Sequence, residues 1–454
     1  MYPTEKQRRI ALISVTGDPA AEIGQEEAGG QNVYVRKVGA ALARLGWQVD
    51  MFTRRNCPEQ AEIVQHEAGC RTIRLKAGAT QFIGRDDLFE YLPEFVAQFQ
   101  AFQQSQGIYY PLIHTNYWLS CWVGMELKKR QPSIQVHTYH SLGAVKYKSV
   151  TDIPPVASKR LAVEKACLET ADKVIATSPQ EEKHMRMLVS QEGQIEVIPC
   201  GTDIEKYGSV PRSLAREYLG IRDDAKMILY VGRFDKRKGI ETLVRAVAQS
   251  RFRNHPNLHL VIAGGSRPDS SDGIERERIE KIVAEVGLKD CVTFPGRLDD
   301  TVLSFYYGAA DVCVLPSHYE PFGLVAIEAM ACQTPVVASD VGGLQFTVVP
   351  EVTGLLVPPQ NELEFATAID RILDNPDWAL ELGKAGRKRV EKAFSWDSVA
   401  SRLNQLYTDL LATAPTHKNQ SKIDNWTVTA LNTARQSSEK FNLDSFSKGT
   451  NRHI

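Results

Sequence analysis

The chain of 454 residues has no Asp-x-Asp, no Gly-x-Ser-x-Gly and no Cys-x-x-Cys. The first absence argues against a diphosphate held through a metal ion. The second removes the strained nucleophile turn of a serine hydrolase. The third leaves eight scattered cysteines, several in apolar runs such as Val312-Cys313-Val314. Reduced core thiols of a cytoplasmic protein are therefore expected, not a disulfide frame or a zinc site. No apolar run reaches membrane-spanning length, and the polar stretch Met1 to Arg9 does not read as a signal peptide. A formal net charge of -1 provides no global field to recruit nucleic acid or an anionic membrane, so any anion must be captured locally. Neither partner is expected.

Short apolar runs alternate with amphipathic stretches throughout, the pattern of parallel sheets covered by helices. Strands are expected at 10–15, 48–53, 111–115, 134–139, 173–178 and 195–199, with helices at 31–45, 87–104, 117–130, 156–170 and 179–190. After a charged, weakly periodic stretch at 204–225 the rhythm restarts. Strands follow at 227–232, 258–263, 292–294, 312–315 and 335–338, with helices near 239–250, 274–287, 300–308, 323–332 and 361–374. Length alone suggests two domains of about 200 residues. The expected fold is α/β, with two doubly wound Rossmann-like domains, 1–203 and 204–394, facing each other across a cleft. Two helices cover 377–412, the second from about 395 to 414. Residues 415–454 are polar and read as a mobile tail.

Several residues stand out against this frame. Glu328 interrupts an apolar helix between Ile327 and Ala329, and a carboxylate among aliphatic side chains needs a specific partner. The hydroxyls of a bound sugar or ribose would supply one; solvent or a structural cation is the plainer alternative. Gly232-Arg233-x4-Lys238-Gly239 ends one strand and opens the next helix. Arginine offers a planar fork and lysine a point charge, so both can converge on one diphosphate. Gly323-Leu324 begins the helix of Glu328, and unpaired amides at such an end favour an anion. Glu320, just ahead, would then reach the sugar beyond the diphosphate. In the first half, Gly29-Gly30-Gln31-Asn32 follows the first strand, where glycines permit close backbone approach to a pyrophosphate. His137, His140 and Ser141 follow another strand, at the edge where catalytic groups of such sheets collect. With no carboxylate or cysteine at ligand spacing, the two histidines do not read as a metal pair.

Together these elements, with His140-Ser141-Leu142-Gly143, resemble the two-domain retaining glycosyltransferases of GT-B architecture. The Gly-Gly-Gln loop and the His-Ser-Leu-Gly segment are most similar to sucrose-phosphate synthases. Asn32 and His114-Thr115-Asn116-Tyr117-Trp118 are similar to mycothiol-pathway glycosyltransferases. The resemblance implies that Arg233 and Lys238 hold the donor diphosphate, Glu328 the ribose and Glu320 the transferred glucose. Gly30, Arg297, Gly323, Leu324 and Val325 are the other implied donor contacts. His140 would brace the reaction centre through its ring or carbonyl, and the helix after Trp396 would cross back onto the first domain.

An acceptor carrying a phosphate needs its own cationic pocket. Arg85, Lys146, Lys148 and Arg160 are candidates, and the resemblance adds Gln31, Asn32, Tyr117 and Ser141. Gln81 stands where sucrose-phosphate synthases often carry lysine. The implied reaction is glucosyl transfer from UDP-glucose, with ADP-glucose open, to fructose 6-phosphate with retention of configuration. It needs no cofactor or metal. Free fructose (a sucrose synthase) and an inositol phosphate remain alternative acceptors. No phosphatase domain is visible after residue 415, so a separate sucrose-phosphate phosphatase is the expected partner. A nucleotide-sugar-binding regulator without catalysis is the alternative from outside the enzymes.

Overall fold

The computed structural model describes residues 8–21, 30–147, 153–267 and 270–413; the expected tail at 415–454, together with Gly29 and Lys148, lies outside them. By contacts the chain divides into two compact units. Unit 1 comprises Met1–Ile175, His184–Glu196 and Gln405–Ile454, and unit 2 comprises Ala176–Lys183 and Val197–Asn404.

Unit 1 is built on β1 (Arg9–Ile13), β2 (Gln48–Arg54), β3 (Ile63–Glu67), β4 (Cys70–Leu75), β5 (Leu112–Asn116), β6 (Ile134–Thr138), β7 (Lys173–Ala176) and β8 (Ile195–Val197). Their order is β3-β4-β2-β1-β5-β6-β7-β8. Among the registered pairs only β3 with β4 is antiparallel. Unit 2 carries β9 (Lys226–Val231), β10 (Leu258–Ala263), β11 (Val292–Gly296), β12 (Val312–Leu315), β13 (Val336–Ser339) and β14 (Gly354–Val357). They form a parallel sheet in the order β11-β10-β9-β12-β13-β14. Both sheets are α/β and doubly wound. Each reverses strand order once, between β1 and β5 and between β9 and β12, and such a reversal opens a crevice at the strands' carboxyl ends.

The helical expectations hold in existence and lie within a few residues of their bounds. Helix Gly30–Arg44 ends at Gly46, whose φ of 88° is the left-handed stop expected there. Several elements were not expected, among them β3, β4, β14 and helix Arg212–Leu219. In β4 the run is broken by Arg71 and Arg74, which pair with Asp50 at 2.6 Å and Asp18 at 2.8 Å. The paired charges let an arginine-bearing strand sit inside. β3 is a polar edge strand, and β14 is a short apolar strand that pairs with β13 at the opposite end of its sheet from β11. Helix Arg212–Leu219 lies within the weakly periodic stretch because its inward face carries a charge: Arg216, buried, donates to Asp311 at 2.9 Å.

The cysteine expectation needs correction. Cys121 and Cys167 form a disulfide, and the other six are free thiols. Forty-six residues separate the pair, so no local spacing betrayed it.

Candidate functional site

In unit 2 the crevice between β9 and β12 is built from the turns that follow those two strands. After β9, Tyr230 donates its hydroxyl to the carbonyl of Arg233 at 3.2 Å. Asp235 caps the short 3-10 turn Lys236–Lys238 by accepting from the Arg237 amide at 2.9 Å. The Arg237 side chain is also engaged by Asp235, and it holds that carboxyl down to about 2. Gly239 closes the turn at φ 67°, where a Cβ would lie 2.0 Å from the Pro316 carbonyl oxygen. Only glycine fits there. The His318 amide donates to the Arg237 carbonyl at 2.7 Å, tying the turn to the segment after β12.

Lys238 and Glu320 therefore meet. Lys238 Nζ lies 2.5 Å from Glu320 Oε2. Arg233 is exposed beside them, with no ion pair among the described residues. A backbone clamp that the sequence reading missed fixes Glu320: the Gly343 amide donates to its carbonyl at 2.8 Å. Gly342, at φ 52°, passes so close that a Cβ would sit 2.2 Å from the same oxygen. The adjacent glycines after β13 were the available signal.

Helix Leu324–Ala331 starts at Gly323, which has φ 94°. Leu324 and Val325 head the helix, where amides have no intrahelical acceptor. Glu328 lies one turn in, half-buried rather than buried, and accepts a hydrogen bond from Tyr307 at 2.8 Å. Tyr307 is fully buried; burial and then the neighbouring carboxylate push its phenol well up, so it remains a donor. A neutral hydroxyl thus meets Glu328 from the inside. Arg297 follows the edge strand β11 and is exposed beside Gly265; no contact among the described residues joins it to the Lys238–Glu320 pair.

In unit 1 the ends of β1, β5 and β6 converge through Asn116. Its side-chain amide donates to the carbonyls of Ile13 and His114, both at 3.4 Å, leaving Oδ1 as an acceptor. His140 Nε2 donates to that Oδ1 at 2.9 Å. His140 adopts φ 59°, stands edge-on to Tyr34 at 4.8 Å, and burial lowers its pKa to about 3, so the ring is neutral. Gln31 donates to Ser14 Oγ at 2.9 Å and to the Asn116 carbonyl at 3.4 Å. Asn32 donates to the Asp18 carbonyl at 3.1 Å. Gly30, exposed, opens the helix that carries both. Asn116, Ser14 and Tyr34 were not singled out, although Asn116 closes a strand within His114–Trp118. His137 departs from expectation. It is buried within β6, bonded to Thr115 at 2.9 Å, and its ring lies near Cys121 and Cys167. Cysteines do accompany it in space, contrary to the reading from spacing.

Three expected acceptor residues come together. Arg160 donates to the Tyr117 hydroxyl at 3.2 Å and to the Ser141 carbonyl at 2.6 Å. It also pairs with Glu164 at 2.7 Å, the two side chains being 2% and 0% exposed. Glu164 in turn accepts from the Gly143 amide at 2.9 Å. Burial opposes the Arg160 charge, but Glu164 and the nearby phenols outweigh it and hold the guanidinium above its ordinary value. Tyr147 lies under the same guanidinium at 5.7 Å. Lys146 is exposed above the Tyr147 ring. Arg85 is exposed in a turn, and its neighbour Asp86 acts on Tyr147; no direct contact joins Arg85 to Arg160 among the described residues.

Two family models match: "Glycosyl transferase 4-like domain" over residues 29–201 and "Glycosyl transferases group 1" over residues 212–389. Among solved structures, the chain is similar to a sucrose-phosphate synthase from Thermosynechococcus elongatus, with 56% identity and a TM-score of 0.78. That match covers 89% of this chain and 99% of the other. The fold is also similar to Anabaena HepE in complex with UDP and glucose, at 20% identity and a TM-score of 0.68, over 88% of this chain and 100% of that one. Among curated proteins, a D-inositol 3-phosphate glycosyltransferase of Corynebacterium jeikeium is 36% identical over 410 residues, or 88% of this chain and 97% of that protein.

Proposed function

Because this chain belongs to the group 1 glycosyltransferases of GT-B architecture and is a hexosyltransferase, we propose that it moves glucose from UDP-glucose to fructose 6-phosphate, giving sucrose 6-phosphate. The observation that carries the donor half is the Lys238–Glu320 contact at 2.5 Å, spanning the β9/β12 crevice. A basic group and a hydroxyl-binding acid stand together there, ahead of the helix that presents the Leu324 and Val325 amides. The donor diphosphate competes with Glu320 for Lys238, and Arg233 adds a second charge. One unit charge at 4 Å contributes about 4 kcal/mol at an effective dielectric of 20, before desolvation. Glu320, released from Lys238, accepts from the glucose hydroxyls. Glu328, braced by Tyr307, accepts from the ribose.

In unit 1 we assign the acceptor phosphate to Arg160, Tyr117 and Ser141, with Arg85 at the rim. Glu164 balances the arginine, so a bound phosphate must draw on guanidinium protons that it leaves unused. His140 is held neutral and acts as a fixed dipole beside the glucose, through its carbonyl or ring. Departure of the diphosphate from an oxocarbenium-like centre is the barrier, so stabilising the leaving charge is the largest lever. The leaving phosphate takes the acceptor's proton on the same face, which retains configuration. Two cationic side chains supply the charge that a metal would supply elsewhere, so transfer should persist in excess EDTA.

The similarity to D-inositol 3-phosphate glycosyltransferases supports a second reading, in which the Arg160 cluster receives an inositol phosphate. A product-resolved assay decides between them, with UDP-glucose and ADP-glucose each offered to fructose 6-phosphate, fructose and inositol 3-phosphate. Sucrose 6-phosphate is the expected product, and transfer to inositol 3-phosphate alone would replace the first reading with the second.

A further inference from the structure

Cys121 and Cys167 are both fully buried, and their bond ties helix Trp118–Arg130 to helix Ala157–Thr170. Its position along each helix is informative. Cys121 lies one turn after Tyr117, and its amide donates to the Tyr117 carbonyl at 3.0 Å. Cys167 stands three residues after Glu164 and seven after Arg160, so these side chains share one helix face, about 10 Å end to end. Tyr117 and Arg160 touch at 3.2 Å. One cross-link therefore fixes the spacing of two helices that carry the acceptor cluster. Gln135 holds the link from β6, donating to the Cys121 carbonyl at 3.2 Å and lying 3.7 Å from its sulfur. A ring nitrogen of His137 is within 4.8 Å of both sulfurs. With the sulfurs joined, however, neither is a thiolate, and the trio in this state has no thiolate to offer a metal.

The remaining six cysteines are free. A single bond among free thiols suits a reversible exchange site better than a structural frame. We infer that Cys121–Cys167 is a thiol–disulfide exchange site whose state sets the affinity of unit 1 for its phosphate-bearing acceptor. The inference rests on the acceptor assignment above. The reductant is a dithiol: one of its thiolates attacks a protein sulfur to give a mixed disulfide, and its second thiol closes on the first. The protein S–S bond breaks, an S–S bond forms in the reductant, and two electrons and two protons end on Cys121 and Cys167. The freed sulfurs must part to van der Waals distance, and a close-packed interior passes that displacement to both helices. Burial makes the exchange slow, since it requires local opening.

The test uses the full chain, either treated with excess dithiothreitol or purified without reductant. Alkylation under denaturing conditions, read by intact mass, should count eight thiols in the first sample and six in the second. The KM for fructose 6-phosphate should differ between them by about three-fold or more, while UDP affinity stays the same. The Cys121→Ala/Cys167→Ala variant should show a single KM that ignores reductant. Eight thiols in both samples, or one KM shared by the two forms, overturns the inference. Should neither form accept fructose 6-phosphate, the acceptor assignment fails separately, and hydrogen exchange decides the site. Faster exchange over 157–170 on reduction supports it, and identical exchange overturns it.

Discussion

Lys238 and Glu320 illustrate how exposure separates a stability role from a functional one. Their side chains are 25% and 15% exposed, so water screens the pair and its contribution to folding is small. Lys238→Ala should therefore cost less than about 1 kcal/mol of stability while lowering kcat by about 10²–10³. Thermal melts beside steady-state rates check this, and a large fall in melting temperature with near-normal turnover would contradict it. Arg160 is the opposite case. It and Glu164 are enclosed, and removing one member of such a pair costs about 3–5 kcal/mol. Arg160→Ala alone would confuse unfolding with lost binding. The double variant Arg160→Met/Glu164→Leu removes both charges and should recover most of that stability, yet it should raise the KM for fructose 6-phosphate at least ten-fold, or about 1.4 kcal/mol. Urea midpoints and acceptor kinetics measure the two effects separately. An unchanged KM in the folded double variant would remove Arg160 from the acceptor site.

At the scale of elements, the parts legible in the sequence were those whose inward faces are apolar. Strands such as β9, β10 and β12 are nearly continuous hydrophobic runs, and their positions followed directly. β4 and helix Arg212–Leu219 did not, because Arg71, Arg74 and Arg216 occupy inward or bordering positions and are neutralised by partners distant in sequence. The site divides in the same way. Lys238, Glu320 and Glu328 announce themselves by chemistry. Asn116, Tyr307 and the Gly342-Gly343 clamp act through contacts that only the fold creates. Gly342→Ala tests the clamp. Its Cβ would meet the Glu320 carbonyl at 2.2 Å in a left-handed backbone, so about 1–3 kcal/mol of stability should be lost. Glu320 must shift as well, so turnover should fall more than UDP affinity does. Calorimetric UDP titration and kcat distinguish these, and a variant with wild-type turnover would show that Glu320 does not depend on its backbone anchor.

On the whole molecule, acid acts first through unit 1, where His114 and His137 are buried and His140 is half-buried near the β1, β5 and β6 ends. Burial takes His114 and His140 down to about 3 and His137 well below its ordinary 6.5. In the unfolded chain all three titrate near 6.5, so between that value and about 3 the unfolded state binds more protons. Stability is therefore complete above 6.5 and declines as pH falls through that window, by up to about 1.4 kcal/mol per pH unit for each histidine. Burial raises the Glu164 carboxyl in the same unit and works against this at lower pH, which makes pH 7 to 5.5 the cleaner interval. Urea unfolding should show a lower midpoint at pH 5.5 than at pH 7, and His140→Gln should flatten part of that slope. The same low pKa constrains the chemistry. A ring that stays neutral cannot donate a proton as imidazolium, so the kcat–pH profile should show no limb near 6.5 from His140. A limb there that vanishes in His140→Gln would mean that the histidine is charged during turnover, and the neutral dipole assigned to it would have to be abandoned.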